Sequence, residues 1–208
     1  MNVLCTGVAH TLILSDKGEV YSIGSSEYGQ LGRDVVGGNF HAPVRVVGAR
    51  ANDKGKYYFG EKRIVAISSG DYHCAAVGVD GTLYMWGDAS NGKLGHGEED
   101  LNESGNEGGR RSHSMPCVVH AFLHANLITH DITGIKVKVR GVSCGSSHTL
   151  CVDYGGEAWS WGDGKYGQLG HGDTSSCIFP KELSDFKKTK IAQISAGAKH
   201  SLALCDGG

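Results

Sequence analysis

The sequence predicts an all-β fold, a partial β-propeller of four-stranded antiparallel blades, and three observations carry that prediction. Glycine is abundant and proline scarce, 33 against 3 in 208 residues. An average protein has roughly 7% glycine, and an excess without a collagen period means many tight turns, the habit of all-β chains. A G-x-x-H motif recurs four times, each followed by a short apolar run, and further glycines fall at fixed distances behind each histidine. Repeats of this kind govern how every smaller motif inside them is read.

The four motifs are Gly7/His10, Gly70/His73, Gly145/His148 and Gly197/His200, followed by TLIL, CAAV, TLCV and SLAL. Eight residues after each histidine stands Gly18, Gly81, Gly156 or Gly208, which reads as a hairpin turn needing positive φ. Fourteen residues after the first three stand Gly24, Gly87 and Gly162, closing the runs VYSIG, LYMWG and AWSWG. YGQLG, NGKLG and YGQLG then follow in register, so Leu31, Leu94 and Leu169 are expected to be buried anchors beneath a turn. A proline (Pro43, Pro116, Pro180) opens a third β-rich run and a fourth run closes the unit, as in HTLIL, VYSIG, PVRVV and IVAIS.

These units occupy about residues 7–69, 70–144 and 145–196 of a single repeat domain, with 1–6 and 197–208 belonging to incomplete flanking repeats. Their histidines are 63, 75 and 52 residues apart, which places insertions near 48–60, 98–113 and 121–134. Tandem four-stranded units of about this size are the signature of a propeller, in which each sheet packs on the next because none can bury both faces alone.

The combination G-x-x-H-[ST]-L, D-G-x-[LVA]-[YW]-x-W-G and Y-G-Q-L-G-H-G closely resembles the regulator of chromosome condensation repeat, over nearly the whole chain. The first copy departs most, with Ile23 in place of the Trp before Gly24 and Arg33 in place of His96 and His171. The resemblance implies a seven-bladed ring. Three blades cannot close one, so further residues of a longer chain, or a second chain, are expected to complete it.

Net charge is −2, which argues against nucleic acid as the main partner, and no apolar run approaches the ~20 residues of a membrane span. Seven cysteines without a C-x-x-C pair fit reduced thiols, hence cytoplasm or nucleus. Gly162, Gly164 and Gly167 spell the G-x-G-x-x-G of a dinucleotide loop. The sister copies read Gly24/Ser26/Gly29 and Gly87/Ala89/Gly92, however, and no helical period follows. No cofactor is expected. The repeated histidines, one per blade, are expected to bond backbone groups near the central channel. His113, Cys117, His120, His124 and His130 would offer zinc ligands only if 116–124 were helical, which Pro116 opposes. No nucleophile sits in an activated setting, so no catalytic residue is expected. Light sensing, which in a plant branch of the family depends on a tryptophan cluster around G-W-R-H-T, is disfavoured by Val8, Asp71, Ser146 and Ala198 at the tryptophan positions.

What remains is charge on loops. Residues 98–111 carry Glu98, Glu99, Asp100 and Glu103 and end in Arg110 and Arg111, while Lys181 and KKTK (187–190) form a basic strip. Insertions on one rim of a rigid scaffold would form a partner-specific surface. The expected function is therefore a non-catalytic protein-interaction scaffold. The resemblance also implies two alternatives: nucleotide exchange on a Ran-like small GTPase, and substrate binding for a HECT ubiquitin ligase.

Overall fold

The computed structural model describes residues 3–33, 35–47, 62–97, 112–125, 132–186 and 189–207. Its strands are β1 (Val3–Thr6), β2 (His10–Leu14), β3 (Val20–Ser25) and β4 (Asn39–Arg45), then β5 (Ile64–Ser69), β6 (His73–Gly78), β7 (Leu83–Asp88) and β8 (Ser112–Val118). A short pair, β9 (Leu123–Ala125) and β10 (Ile132–Ile135), precedes β11 (Val139–Cys144), β12 (His148–Asp153), β13 (Ala158–Gly162) and β14 (Cys177–Glu182). Last come β15 (Ile191–Ala196) and β16 (Ser201–Cys205). The chain is all-β, and the sheets β1-β2-β3-β4, β5-β6-β7-β8 and β11-β12-β13-β14 are antiparallel meanders, here called blades 1, 2 and 3, followed by the two-stranded sheet β15-β16.

Blade and sequence unit are out of phase by one strand. IVAIS pairs with the following HCAAV, not with the preceding strands of its unit. Each sequence unit thus supplies three strands to one sheet and the innermost strand to the next, which ties neighbouring sheets together covalently. The prolines lie inside the third-run strands rather than opening them, within β4, β8 and β14. These strands are each sheet's outer edge, where a missing N–H leaves no ladder bond unmade.

Burial follows from the number of neighbours. β6 and β7 of the middle blade are buried along their whole length, whereas β2 alternates buried and half-buried and β16 is mostly exposed. A sheet covered on both faces reads as a continuous apolar run, and one covered on a single face alternates. Two clusters fill the seams. Leu12, Leu14, Val20, Ile64, Cys74, Tyr84 and Trp86 join blades 1 and 2; Met85, Leu94, Phe122, Val139, Cys151 and Trp161 join blades 2 and 3. Among the described residues, no helix is long and apolar enough to cross a membrane.

The segment leading into the third insertion is structured. Pro116 to Phe122 runs from the end of β8 through a single 3-10 turn, not an α-helix. Val118, Val119 and Phe122 are buried, and the Phe122 ring meets the edges of Trp159 and Trp161 at 5.3 and 6.2 Å. A segment that could be taken for a ligand-bearing helix is therefore part of the core.

Candidate functional site

The conserved geometry of the repeat lies at each seam. His10, His73 and His148 are buried at 4%, 0% and 0% exposure. Each reaches across to the side chain that follows the next blade's histidine: His10 Nε2 lies 3.0 Å from Cys74 Sγ, His73 Nε2 3.0 Å from Thr149 Oγ1, and His148 Nε2 2.9 Å from Ser201 Oγ. Those thiol and hydroxyl groups in turn donate back to a turn carbonyl of the first blade, that of Gln30, Lys93 or Gln168. Since the hydroxyl or thiol proton is committed to that carbonyl, the ring donates through Nε2. Besides the backbone groups expected for these histidines, each therefore has a side-chain partner one blade away. His200, at the end of the series, is exposed.

The same carbonyls accept a second donor. Trp86 Nε1 donates to the Gln30 carbonyl at 3.0 Å and Trp161 Nε1 to the Lys93 carbonyl at 2.9 Å. Each of these two seams thus holds a histidine, a small polar residue, a turn carbonyl and an indole in one network. Gly24, Gly87 and Gly162 have φ of 114, 101 and 104° and press on the backbone just before each histidine, where a Cβ would strike the carbonyls of Ala9, Tyr72 and Ser147. Leu31, Leu94 and Leu169 are buried to 0, 0 and 2% exposure. On the innermost strands, Cys144 N donates to Ser68 Oγ and Ala196 N to Ser143 Oγ, both at 2.9 Å.

Burial keeps these groups uncharged. Desolvation lowers His10 to about 4 and pushes His73 well below its ordinary value, while it lifts Cys74 well above the usual thiol range and Cys144 to about 12. Thiols held protonated are poor nucleophiles. All seven cysteines are free thiols. Because folding depresses the His10 pKa from 6.5 to about 4, the unfolded chain binds the extra proton between those values and stability falls as pH drops through that window. His10 alone removes about 2 kcal/mol between pH 7.5 and 5. Denaturant midpoints measured over that range should fall steadily; a flat profile would contradict neutral, buried rings.

The glycine of G-x-x-H is needed for room rather than for φ. A Cβ on Gly70 would run into the Gly145 carbonyl oxygen and the His73 ring. Gly70→Ala is expected to cost about 1–3 kcal/mol by overpacking. By contrast Gly141→Ala, whose Cβ would meet only Val152 Cγ1 at 3.4 Å, should leave the melting temperature almost unchanged. Equal melting temperatures for the two variants would refute this reading.

The G-x-G-x-x-G stretch forms consecutive turns. Gly167 N donates to the Gly164 carbonyl and Gly170 N to the Gly167 carbonyl, so these donors are not free to cradle phosphate. Zinc ligation by His113, Cys117, His120, His124 and His130 lacks its helical premise: His113 is buried in β8, His120 is exposed, and His130 lies outside the described residues. Among the described residues no group of three His, Cys, Asp or Glu side chains could hold a metal ion.

The blades present two faces. The G-x-x-H loops and the connections from third to fourth strand share one, where the Tyr28 and Tyr72 rings meet tilted at 45° with centroids 4.8 Å apart and Lys199 lies 4.3 Å over the exposed Tyr166 ring. The hairpins and the crossings between blades share the other, where Ile64 N bonds the Gly18 carbonyl and Val139 N the Gly81 carbonyl. Glu98, Glu99, Asp100, Glu103, Arg110 and Arg111 lie outside the described residues, but their anchors Gly97 and Ser112 connect β7 to β8 on the first face. Val47 and Lys62, which flank 48–61, connect β4 to β5 on the second face, while residues 48–61 and 126–131 themselves lie outside the described residues.

The sequence pattern of the Regulator of chromosome condensation (RCC1) repeat matches residues 17–77, 80–152 and 155–204. The chain is 32% identical over 203 residues to the human E3 ubiquitin-protein ligase HERC2, covering 96% of this chain and 4% of that protein. It is 32% identical over 205 residues to the Ultraviolet-B receptor UVR8 of Arabidopsis thaliana, covering 99% of this chain and 39% of the receptor. It thus spans well under half the length of either. Among solved structures, Prp20p of Saccharomyces cerevisiae superposes with a TM-score of 0.76 at 22% identity, over 98% of this chain and 43% of that one. The matched repeats and the histidine, glycine and tryptophan seams they contain place the chain in the regulator of chromosome condensation (RCC1) repeat family.

Proposed function

We propose that the chain is a non-catalytic protein-interaction scaffold, a run of propeller blades that binds a protein partner through its loops. One observation carries this reading: three of the four repeated histidines, His10, His73 and His148, are buried and engaged across seams between sheets. Chemistry that could have been catalytic is engaged in packing, and what varies between blades is the loops. Loops on a rigid scaffold are where such folds bind. The insertion bounded by Gly97 and Ser112 is the first candidate, with Tyr28, Tyr72, Tyr166 and Lys199 on the same face.

Replacing 98–111 with a glycine-serine linker of equal length tests this. The melting temperature should stay within a degree or two, while the proteins captured by the chain change; an unchanged set would assign binding elsewhere. The relationship to HERC2 favours a second, more specific reading, substrate binding for a ubiquitin ligase. Under it, a captured protein should be ubiquitinated by a ligase carrying these blades and not by one carrying the linker. Nucleotide exchange on a small GTPase predicts instead that fluorescent GDP is released faster in the presence of the completed ring.

A further inference from the structure

Each seam has two equivalent positions for a small polar side chain, and in the seam between blades 1 and 2 both hold sulfur. The first position is on the innermost strand, where Ser68 Oγ accepts Cys144 N and Ser143 Oγ accepts Ala196 N from the sheet that follows. Cys5 takes that place in blade 1: Cys5, Ser68 and Ser143 pair with Leu12, Ala75 and Leu150, each two residues after its histidine. The second position follows the histidine of the next blade. It is Thr149 or Ser201 in the later seams and Cys74 in the first.

The two thiols meet at one side chain. Cys5 Sγ lies 3.3 Å from Ser69 Oγ, and Ser69 pairs directly with Cys74 across the β5-β6 ladder. Side chains opposed in this way have Cβ atoms about 5 Å apart. Both cysteines belong to the cluster that joins blades 1 and 2, Cys74 buried and Cys5 half-buried at its border. Ser68 with Thr149, and Ser143 with Ser201, offer only hydroxyls at the same places, so the first seam alone has this redox chemistry among the three.

We propose that Cys5 and Cys74 form an oxidation site, a dithiol that a hydroperoxide converts into a disulfide joining blade 1 to blade 2. Cys5, the more accessible thiol, reacts first. It loses its proton to solvent, its sulfur takes one peroxide oxygen as the O–O bond breaks, and the other oxygen leaves as water, giving a sulfenic acid. The Cys74 sulfur then attacks the Cys5 sulfur, the S–O bond breaks, and the hydroxide leaves with the Cys74 proton as a second water. Two electrons have passed from the thiols to the peroxide. Burial holds both thiols protonated, which makes the reaction slow and tunes the site to sustained oxidant. The new bond removes the S–H that Cys74 donates to the Gln30 carbonyl, so a covalent link replaces the hydrogen-bonded relay of this seam. This site is independent of the loop reading above.

The test treats the full 208-residue chain with hydrogen peroxide, then alkylates it under denaturing conditions and maps its peptides. Of the seven free thiols, two are expected to disappear, in a Cys5–Cys74 cross-linked peptide that dithiothreitol releases. Cys5→Ser and Cys74→Thr carry residues that the sister seams already hold, so both should keep the parent's circular dichroism spectrum. In Cys5→Ser the Cys74 thiol should stay reduced; in Cys74→Thr oxidation should stop at a Cys5 sulfenic acid, trapped by dimedone. A chain that keeps all seven thiols overturns the proposal, as does Cys5 bonded to Cys144 or to a second molecule, or Cys74 cross-linked equally well in folded Cys5→Ser.

Discussion

Trp161→Ala is expected to destabilise the chain by about 3–5 kcal/mol, the range for truncating a fully buried aromatic side chain. Trp161 is 0% exposed and central to the seam between blades 2 and 3, packed against Phe122. Its loss leaves a cavity and also removes an indole donor from the Lys93 carbonyl. Because Thr149 Oγ1 still donates to that carbonyl, the hydrogen-bond part of the cost is the smaller one. Trp161→Phe should therefore recover most of the lost stability by refilling the seam. The half-buried Trp159 provides the control: its replacement by alanine should cost clearly less. Equal effects at 159 and 161 in chemical denaturation would contradict the assignment of Trp161 as the seam's centre.

Lys93→Met is expected to cost a similar amount, about 3–5 kcal/mol, because it leaves a carboxylate buried without its counter-ion. Lys93 is 2% and Asp88 8% exposed, and the ammonium lies 2.5 Å from Asp88 Oδ2. The sister turns solve the same position without charge: Gln30 and Gln168 accept the backbone N–H of Tyr28 and Tyr166 at 2.8 Å. At the residue after the strand glycine, blade 1 has Ser25 where blade 2 has Asp88. The double substitution Lys93→Gln with Asp88→Ser should hence regain most of the stability that Lys93→Met loses. A double variant no more stable than Lys93→Met would show that the pair does something in blade 2 that the neutral turns do not.

Much of this was legible in the chain itself. The histidines, the glycines at positive φ and the buried leucines follow from register alone, because each answers a local demand: a turn, a close approach of backbone, an anchor under a loop. The partners were not legible. His73 meets Thr149 across 76 residues, and Trp161 meets Lys93 across 68, and pairings of that span are set by how sheets stack rather than by local pattern. One signal was present: each histidine is followed by Thr, Cys, Thr or Ser, a small side chain able to hydrogen-bond. Blade phase was hidden for the same reason, since IVAIS pairs with the strand after it only once neighbouring sheets exist. Phe122 shows the opposite failure. It lies in an insertion, where periodicity says nothing, yet fills the core of a seam.

The histidine of one blade holds the next. A double-mutant cycle on His73→Ala and Thr149→Val, followed by chemical denaturation at pH 7.5, measures that link directly. The two groups are 3.0 Å apart and buried, so a coupling energy of about 1 kcal/mol or more is predicted. Additive effects, with coupling below about 0.3 kcal/mol, would mean that the repeated histidines merely fill space and that the seams are held by packing alone.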